Sequence, residues 1–179
     1  MNIKIKTAKP SDAAVISSIG KLSFRDAFMH LFNNKKELQE YLDFTYKPEK
    51  IEKSIRRENN VYFIAYVENV PAGFAKLKKS SLESQIESIA QMELQKIYVL
   101  SYYHGSGAGA ALLNRVIEFA KETEPDYVWL HVHISNQKAV RFYEKNGFQI
   151  SGKHHFTIGT QTFEFHIMCL PVAVMQPCC

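Results

Sequence analysis

The stretch from Glu93 to Ala120 restricts this chain most, because three kinds of local sequence follow one another there without a break. Residues 93–100, Glu-Leu-Gln-Lys-Ile-Tyr-Val-Leu, read as a buried strand. Residues 101–109 bring Gly105, Gly107 and Gly109 on alternate positions. Beyond them Leu112, Leu113, Val116, Ile117 and Ala120 share one face of a helix. A strand that passes through glycines into a helix N-terminus is a device for holding an anion. Glycine lets the backbone approach closely and take positive φ. The first helical N–H groups lack intrahelical partners and sit at the positive end of the helix dipole. A phosphate or pyrophosphate satisfies both. The loop is not the nucleotide P-loop, since no Gly-Lys-Ser/Thr closes it. The dinucleotide fingerprint fits poorly: from Gly107 its last glycine would fall on Leu112, and from Gly105 on Ala110, a replacement that motif tolerates, so the first frame is only weakened. That motif also belongs in the first βα unit of its fold, with an acid about 20 residues on, whereas this loop follows half the chain.

A second constellation lies downstream: Asn136-Gln137-Lys138-Ala139-Val140-Arg141-Phe142-Tyr143, ending in Gly147-Phe148. Together with His104-Gly105-Ser106-Gly107-Ala108-Gly109, in this order and separation, it resembles the Gcn5-related N-acetyltransferases. That family carries Arg/Gln-x-x-Gly-x-Gly/Ala after a central strand and Asn-x-x-Ala-x-x-Phe-Tyr on a later helix. His104 departs from the usual Arg or Gln. The first two helices, around residues 23–28 and at Tyr41-Leu42, further resemble the bacterial spermidine/spermine acetyltransferase branch.

The 179 residues are expected to form a single domain over 1–171 with a tail over 172–179. A hydrophobic share of 46% against 22% charged residues suits an ordinary globular core. The net charge of +4 suits an anionic cofactor and is too mild to indicate nucleic acid. No stretch approaches the run of about 18 apolar residues that crosses a membrane, and the N-terminus lacks a signal-peptide apolar core. The expectation is a cytoplasmic protein with no membrane or nucleic-acid partner. Cys169, Cys178 and Cys179 make no disulfide framework. The adjacent terminal pair resembles a lipidated end, against the plainer reading of an unstructured tail.

Periodicity places a strand at 2–8, a helix after Pro10-Ser11-Asp12 extending toward Phe32, and a second helical region over 35–57 broken near Pro48. A hairpin follows, 61–67 with 70–78, turning at Glu68-Asn69. Residues 80–88 are polar. The central strand covers 89–99. A strand over 127–134 carries Val128, Leu130, Val132 and Ile134 on one face and Tyr127, Trp129, His131 and His133 on the other. Residues 148–158 and 161–170 form a final hairpin, with Gly159-Thr160 suited to a type II′ turn. The order is β-α-α-β-β-β-α-β-α-β-β. The helix between the glycine-loop strand and the Trp129 strand implies a parallel crossover. The fold class is therefore α/β (α+β). The resemblance implies a mixed, mostly antiparallel sheet of about six to seven strands flanked by helices, with the cofactor at the splay of its one parallel pair.

The resemblance also implies roles. Acetyl-CoA (coenzyme A) is the expected co-substrate. Tyr143 would hold its hydroxyl at the cofactor sulfur; the plain alternative is a core tyrosine. Main-chain N–H groups of Ile97, Tyr98 and Val99 would face the thioester oxygen. His104, Gly105, Ser106, Gly107, Ala108 and Gly109 would cradle the phosphates. Asn136 would contact the pantetheine chain, cap its helix, or both. Lys145 and Arg141 could reach the phosphates or lie on a solvated face. Glu93 is the candidate general base, with Gln95 on the same face to hold a water; alternatively Glu93 is an exposed strand-end residue. Of the histidines, His133 could be an auxiliary base, a pocket wall or a core residue. His131, His154, His155 and His166 lie on neighbouring strands without cysteine support, and no metal site is expected.

These residues point to direct acetyl transfer to a primary amine. A polyamine such as spermidine or spermine is the specific acceptor, with Asp26, Glu83 and Glu93 as the carboxylates it would need. The alternatives are a peptide or protein amine, or a non-catalytic acyl-CoA-binding module. A homodimer paired through the terminal strand is a further expectation, since members of that family are often dimers.

Overall fold

The alternating and buried strand segments assemble into one seven-stranded sheet in the computed structural model, which describes residues 1–172. The strands are Ile3–Thr7 (β1), Asn60–Val67 (β2), Val70–Lys78 (β3), Gln91–Val99 (β4), Tyr127–His133 (β5), Gln149–Ile158 (β6) and Gln161–Pro171 (β7). Their spatial order is β1-β2-β3-β4-β5-β7-β6. Every neighbouring pair is antiparallel except β4 and β5. The helices are Ala13–Phe28 (α1), Lys35–Thr45 (α2), Pro48–Ile55 (α3), Ala108–Thr123 (α4) and Gln137–Lys145 (α5).

Local chemistry accounts for most boundaries. Asn34 accepts from the N–H groups of Lys36 and Glu37 and so starts α2, while Pro48 starts α3 at a position where its missing N–H is not needed. The second helical region is thus two helices rather than one. α1 ends at Phe28, and a single 3-10 turn, Met29–Leu31, carries the chain on toward Phe32. Glu68 and Asn69 take φ of 49° and 67° in the two-residue turn between β2 and β3, the left-handed pair that matches strand twist. At the last hairpin Gly159 takes φ 58° and Thr160 does not, as a type II′ turn requires.

The sheet separates two apolar layers. On one face α4 and α5 pack Leu112, Leu113, Val116 and Val140 against Phe63, Leu77, Met92, Leu94, Leu130 and Met168. On the other, α1 to α3 pack Ile16, Ile19, Phe24, Leu42 and Ile51 against Ile64, Phe74, Ile158 and Phe163. Among the described residues no helix is long and apolar enough to cross a membrane. Val172 donates its N–H to the Asp126 carbonyl at 2.8 Å. Cys169 is a half-buried free thiol, and Cys178 and Cys179 lie outside the described residues. The terminal strand β7 is hydrogen-bonded on both sides, to β5 and β6, so it cannot pair across subunits as expected; the sheet edges are β1 and β6.

Two irregularities in β4 create the opening that matters. First, β4 and β5 pair only at Gln91–Tyr127, Met92–Val128 and Glu93–Trp129, and then diverge. Second, the β3–β4 register steps from Leu77–Leu94 to Lys76–Lys96, leaving Gln95 as a bulge. The bulge switches faces: Met92 and Leu94 point to the α4 layer, and past Gln95 that role falls to Ile97 and Val99. Gln95 therefore does not simply continue the face of Glu93.

The polar segment between β3 and β4 is pinned by Gln91, which is only 3% exposed. Its Oε1 accepts from Glu83 N at 2.7 Å, and its Nε2 donates to the carbonyls of Glu83, Ile86 and Ser88 at 3.2, 3.0 and 2.7 Å. Gln91→Leu keeps the bulk and strands these groups. Urea denaturation should show a loss of about 2–3 kcal/mol; a loss within about 0.5 kcal/mol would mean that other contacts hold the segment.

Candidate active site

A cavity of about 830 Å³ opens where β4 and β5 part. Its walls come from both faces of β4: Leu94, Ile97 and Val99 from the α4 side, Glu93, Lys96 and Tyr98 from the α1 side. The cavity thus passes through the sheet. One arm meets α5 and the loop after β4, at Asn136, Ala139, Phe142, Tyr143, His104 and Gly105. The other reaches the aromatic layer under α1 and α2, at Phe24, Phe28, Tyr41, Phe163 and Phe165.

Backbone direction in the gap follows from one bond. Leu100 N donates to Ala72 O at 2.9 Å, so Leu100 faces β3. Strand residues alternate, so Tyr98 faces β3 too, and the N–H groups of Ile97 and Val99 point into the opening. The carbonyl of Val99 agrees: it accepts not from β3 but from His104 Nε2, at 3.0 Å. Of the three expected main-chain donors, two face the gap; Tyr98 contributes its side chain to the wall instead.

The glycine loop ends where the sequence places it. Gly107, at φ 93°, is the left-handed residue before α4, a conformation a side chain would strain. Ser106 Oγ accepts from Ala108 N at 3.2 Å. His104 and Gly105 line the cavity, and Ser106, Gly107, Ala108 and Gly109 lead directly from them into α4, at whose start the N–H groups lack intrahelical partners. Asn136 both caps α5, accepting from Ala139 N at 3.2 Å, and lines the cavity.

Tyr143 is 7% exposed on α5, packed edge-on to Phe148 and Phe142. Burial, and then the neighbouring Tyr98, push its pKa above the ordinary phenol value, so it stays a protonated donor throughout the physiological range. Lys145 does not reach the cavity: it is exposed in the last turn of α5 and does not line the opening. Lys138, in the first turn of the same helix, does line it. Sequence reading passed over Lys138, although it sits inside the quoted motif two residues after the capping Asn136.

Glu93 is 9% exposed and lines the cavity, not an exposed strand end. Its Oε2 takes Lys78 Nζ at 3.1 Å and Ser81 Oγ at 2.8 Å. Asp26 also lines the cavity and accepts from Ser101 Oγ at 2.9 Å. His133 lines the cavity, with its Nδ1 2.8 Å from the Ser135 hydroxyl and accepting from the Ser135 N–H at 3.2 Å. Burial, with His30 nearby, holds the His133 pKa below its usual value. Lys96 went unnoticed in the sequence. It lies over the Tyr46 ring, 5.3 Å from the centroid, and burial lowers its pKa to about 8. Its cross-strand partner Lys76 is likewise lowered to about 8, by burial and by Lys96.

Residues 24–148 match the acetyltransferase (GNAT) family, and the chain belongs to it. It is 43% identical over 77 residues to an uncharacterized N-acetyltransferase of Mycobacterium bovis, a stretch covering 43% of this chain and about half, 49%, of that protein. In fold it is similar to the PaiA N-acetyltransferase of Thermoplasma acidophilum in complex with coenzyme A. The TM-score is 0.77 at 21% identity, over 96% of this chain and 99% of that one. The YncA structure of Salmonella typhimurium, solved with acetyl-CoA, gives a TM-score of 0.67 at 17% identity, over 99% and 100% of the two chains. The mostly antiparallel sheet of six to seven strands expected from the sequence is observed, with seven strands.

The lowered lysines make stability depend on pH. Between about 8 and the ordinary 10.5 the unfolded chain holds a proton at Lys96 that the folded chain has released, so stability rises with pH across that window. Lys96→Met should be more stable than the parent near pH 7, and that advantage should shrink toward about pH 10. Denaturation curves at the two pH values check this; an advantage independent of pH would assign the effect to packing alone.

Proposed function

We propose that the protein is an acetyl-CoA-dependent N-acetyltransferase that moves an acetyl group directly to a small primary amine. The observation that carries this is the through-sheet cavity, with two unpaired β4 N–H groups and a buried tyrosine hydroxyl on one arm and an aromatic acceptor arm on the other. Acetyl-CoA supplies an activated acetyl thioester. The chain fits it: the N-terminus of α4 offers donors to its phosphates, Lys138 adds a cation to the cavity wall, and Asn136 and Ala139 flank the route to the splay. Ile97 and Val99 hold their N–H groups where the thioester oxygen gains negative charge. Tyr143 donates to the departing sulfur, a leaving group with a thiol pKa of about 8.5. Glu93 receives the proton that the ammonium must lose, and its contacts with Lys78 and Ser81 orient it.

For the acceptor we favour a polyamine such as spermidine or spermine. Asp26 and Glu93 supply carboxylates, and the rings of Phe24, Phe28 and Tyr41 can bind an ammonium by cation–π attraction. Lys76 and Lys96 oppose a polycation, and their release of protons near pH 8 lessens the repulsion. The setting we propose is the cytoplasm; a homodimer, if formed by sheet pairing, would use β1 or β6.

Thiol release from acetyl-CoA should be followed with spermidine, spermine, amino-sugar antibiotics, amino acids and short peptides. Release with spermidine supports the full reading. Release only with a peptide moves the acceptor to a protein amine. Silence throughout, with acetyl-CoA bound, makes the protein a binding module. Tyr143→Phe should lower kcat about 100-fold while leaving acetyl-CoA affinity within about twofold; unchanged kcat would remove Tyr143 from the chemistry.

A further inference from the structure

The segment carrying Glu83 is held more firmly than a connector requires. Besides the Gln91 contacts, Trp129 Nε1 donates to Ser81 O at 2.8 Å, and Gln85 Nε2 reaches across to Lys153 O of β6 at 3.0 Å. The result is a carboxylate 8% exposed and set against β5. Its polar neighbours are Gln85 N at 3.2 Å, Ser84 Oγ at 3.4 Å and His131 Nε2 at 3.4 Å. Among the described residues no lysine or arginine forms an ion pair with it. A buried carboxylate without a cation is costly.

The distance to His131 is informative. Charge-assisted N–H···O bonds are about 2.7–2.9 Å long, so this is a poor hydrogen bond. It is, however, close to the separation of about 3.3 Å between two ligand atoms on a tetrahedral ion with bonds of about 2.0 Å. His154 of β6 stacks on His131, with centroids 4.3 Å apart and planes 8° from parallel. One ligand atom from each of Glu83, His131 and His154 lies within 4.8 Å of the other two.

We propose that Glu83, His131 and His154 form a binding site for a divalent first-row transition ion, zinc above all. Two imidazoles and one carboxylate suit zinc, cobalt or nickel and not magnesium or calcium, which take oxygen. The ion supplies the positive charge that Glu83 lacks. Closing the set requires His154, a half-buried residue of the edge strand β6 that lines the cavity, to turn out of its stack. His131 and His154 both line the cavity, so the fourth coordination position opens toward the acceptor arm. Occupancy ties the pinned segment to β5 and β6 on that side of the cavity.

The test is isothermal titration of zinc chloride into tag-free protein carrying Cys178→Ser and Cys179→Ser, which removes the terminal thiols as competing ligands. One saturable site per chain is expected, weakened at least about tenfold by His154→Ala and also by Glu83→Gln. Cobalt in place of zinc should give visible ligand-field bands that both substitutions abolish. Circular dichroism establishes that each variant is folded. The absence of a saturable site, or a site that either substitution leaves intact, overturns the proposal. Thiol release from acetyl-CoA reports on the acetyl-transfer reading separately, because it is measured without added metal.

Discussion

Past Glu93, the backbone of β4 keeps its partner on one side only, and the working part of the molecule depends on that gap. Unpaired strand groups are costly when buried and invite wrong partners when exposed. Here the gap is kept open because β5 is pulled away toward β7, while β3 holds β4 in place from the other side. The bulge at Gln95 sets which side chains meet each arm. Without it, Lys96 and Tyr98 would turn to the α4 side, and Ile97 and Val99 would face the aromatic arm.

The two arms differ in physical character. The α5 side offers a helix N-terminus and backbone donors with few side-chain charges, and His104, at the position of the family's Arg or Gln, is occupied with the Val99 carbonyl. On the α1 side, charge is balanced locally. Glu93 is offset by Lys78, Lys96 rests on a ring, burial disfavours the charged form of His133, and His131 lies beside Glu83.

Much of this was legible in the residues. The glycine loop, the Asn136–Tyr143 helix and the alternation of β5 led to the sheet, its parallel pair and the position of Tyr143. The bulge left a trace too: apolar residues fall at Met92 and Leu94, then at Ile97 and Val99, a break of phase at Gln95. Lys145 shows the opposite case. A lysine after the motif looks like a phosphate ligand, but Lys145 falls in the last turn of α5 and does not line the cavity, whereas Lys138 in the first turn does.

By itself the sequence determined what depends on neighbours along the chain: strand and helix periods, the left-handed glycine before α4, the Asn136 cap, the hairpin turns and the family motifs. Tertiary structure alone decided what depends on pairing between distant segments. Three paired residues between β4 and β5, the direction of the Ile97 and Val99 N–H groups, the burial of Lys96 and the meeting of Glu83 with His131 and His154 belong to that set. Local sequence carries no record of them, because register and burial are fixed only when strands far apart in the chain compete for the same hydrogen bonds and the same dry volume.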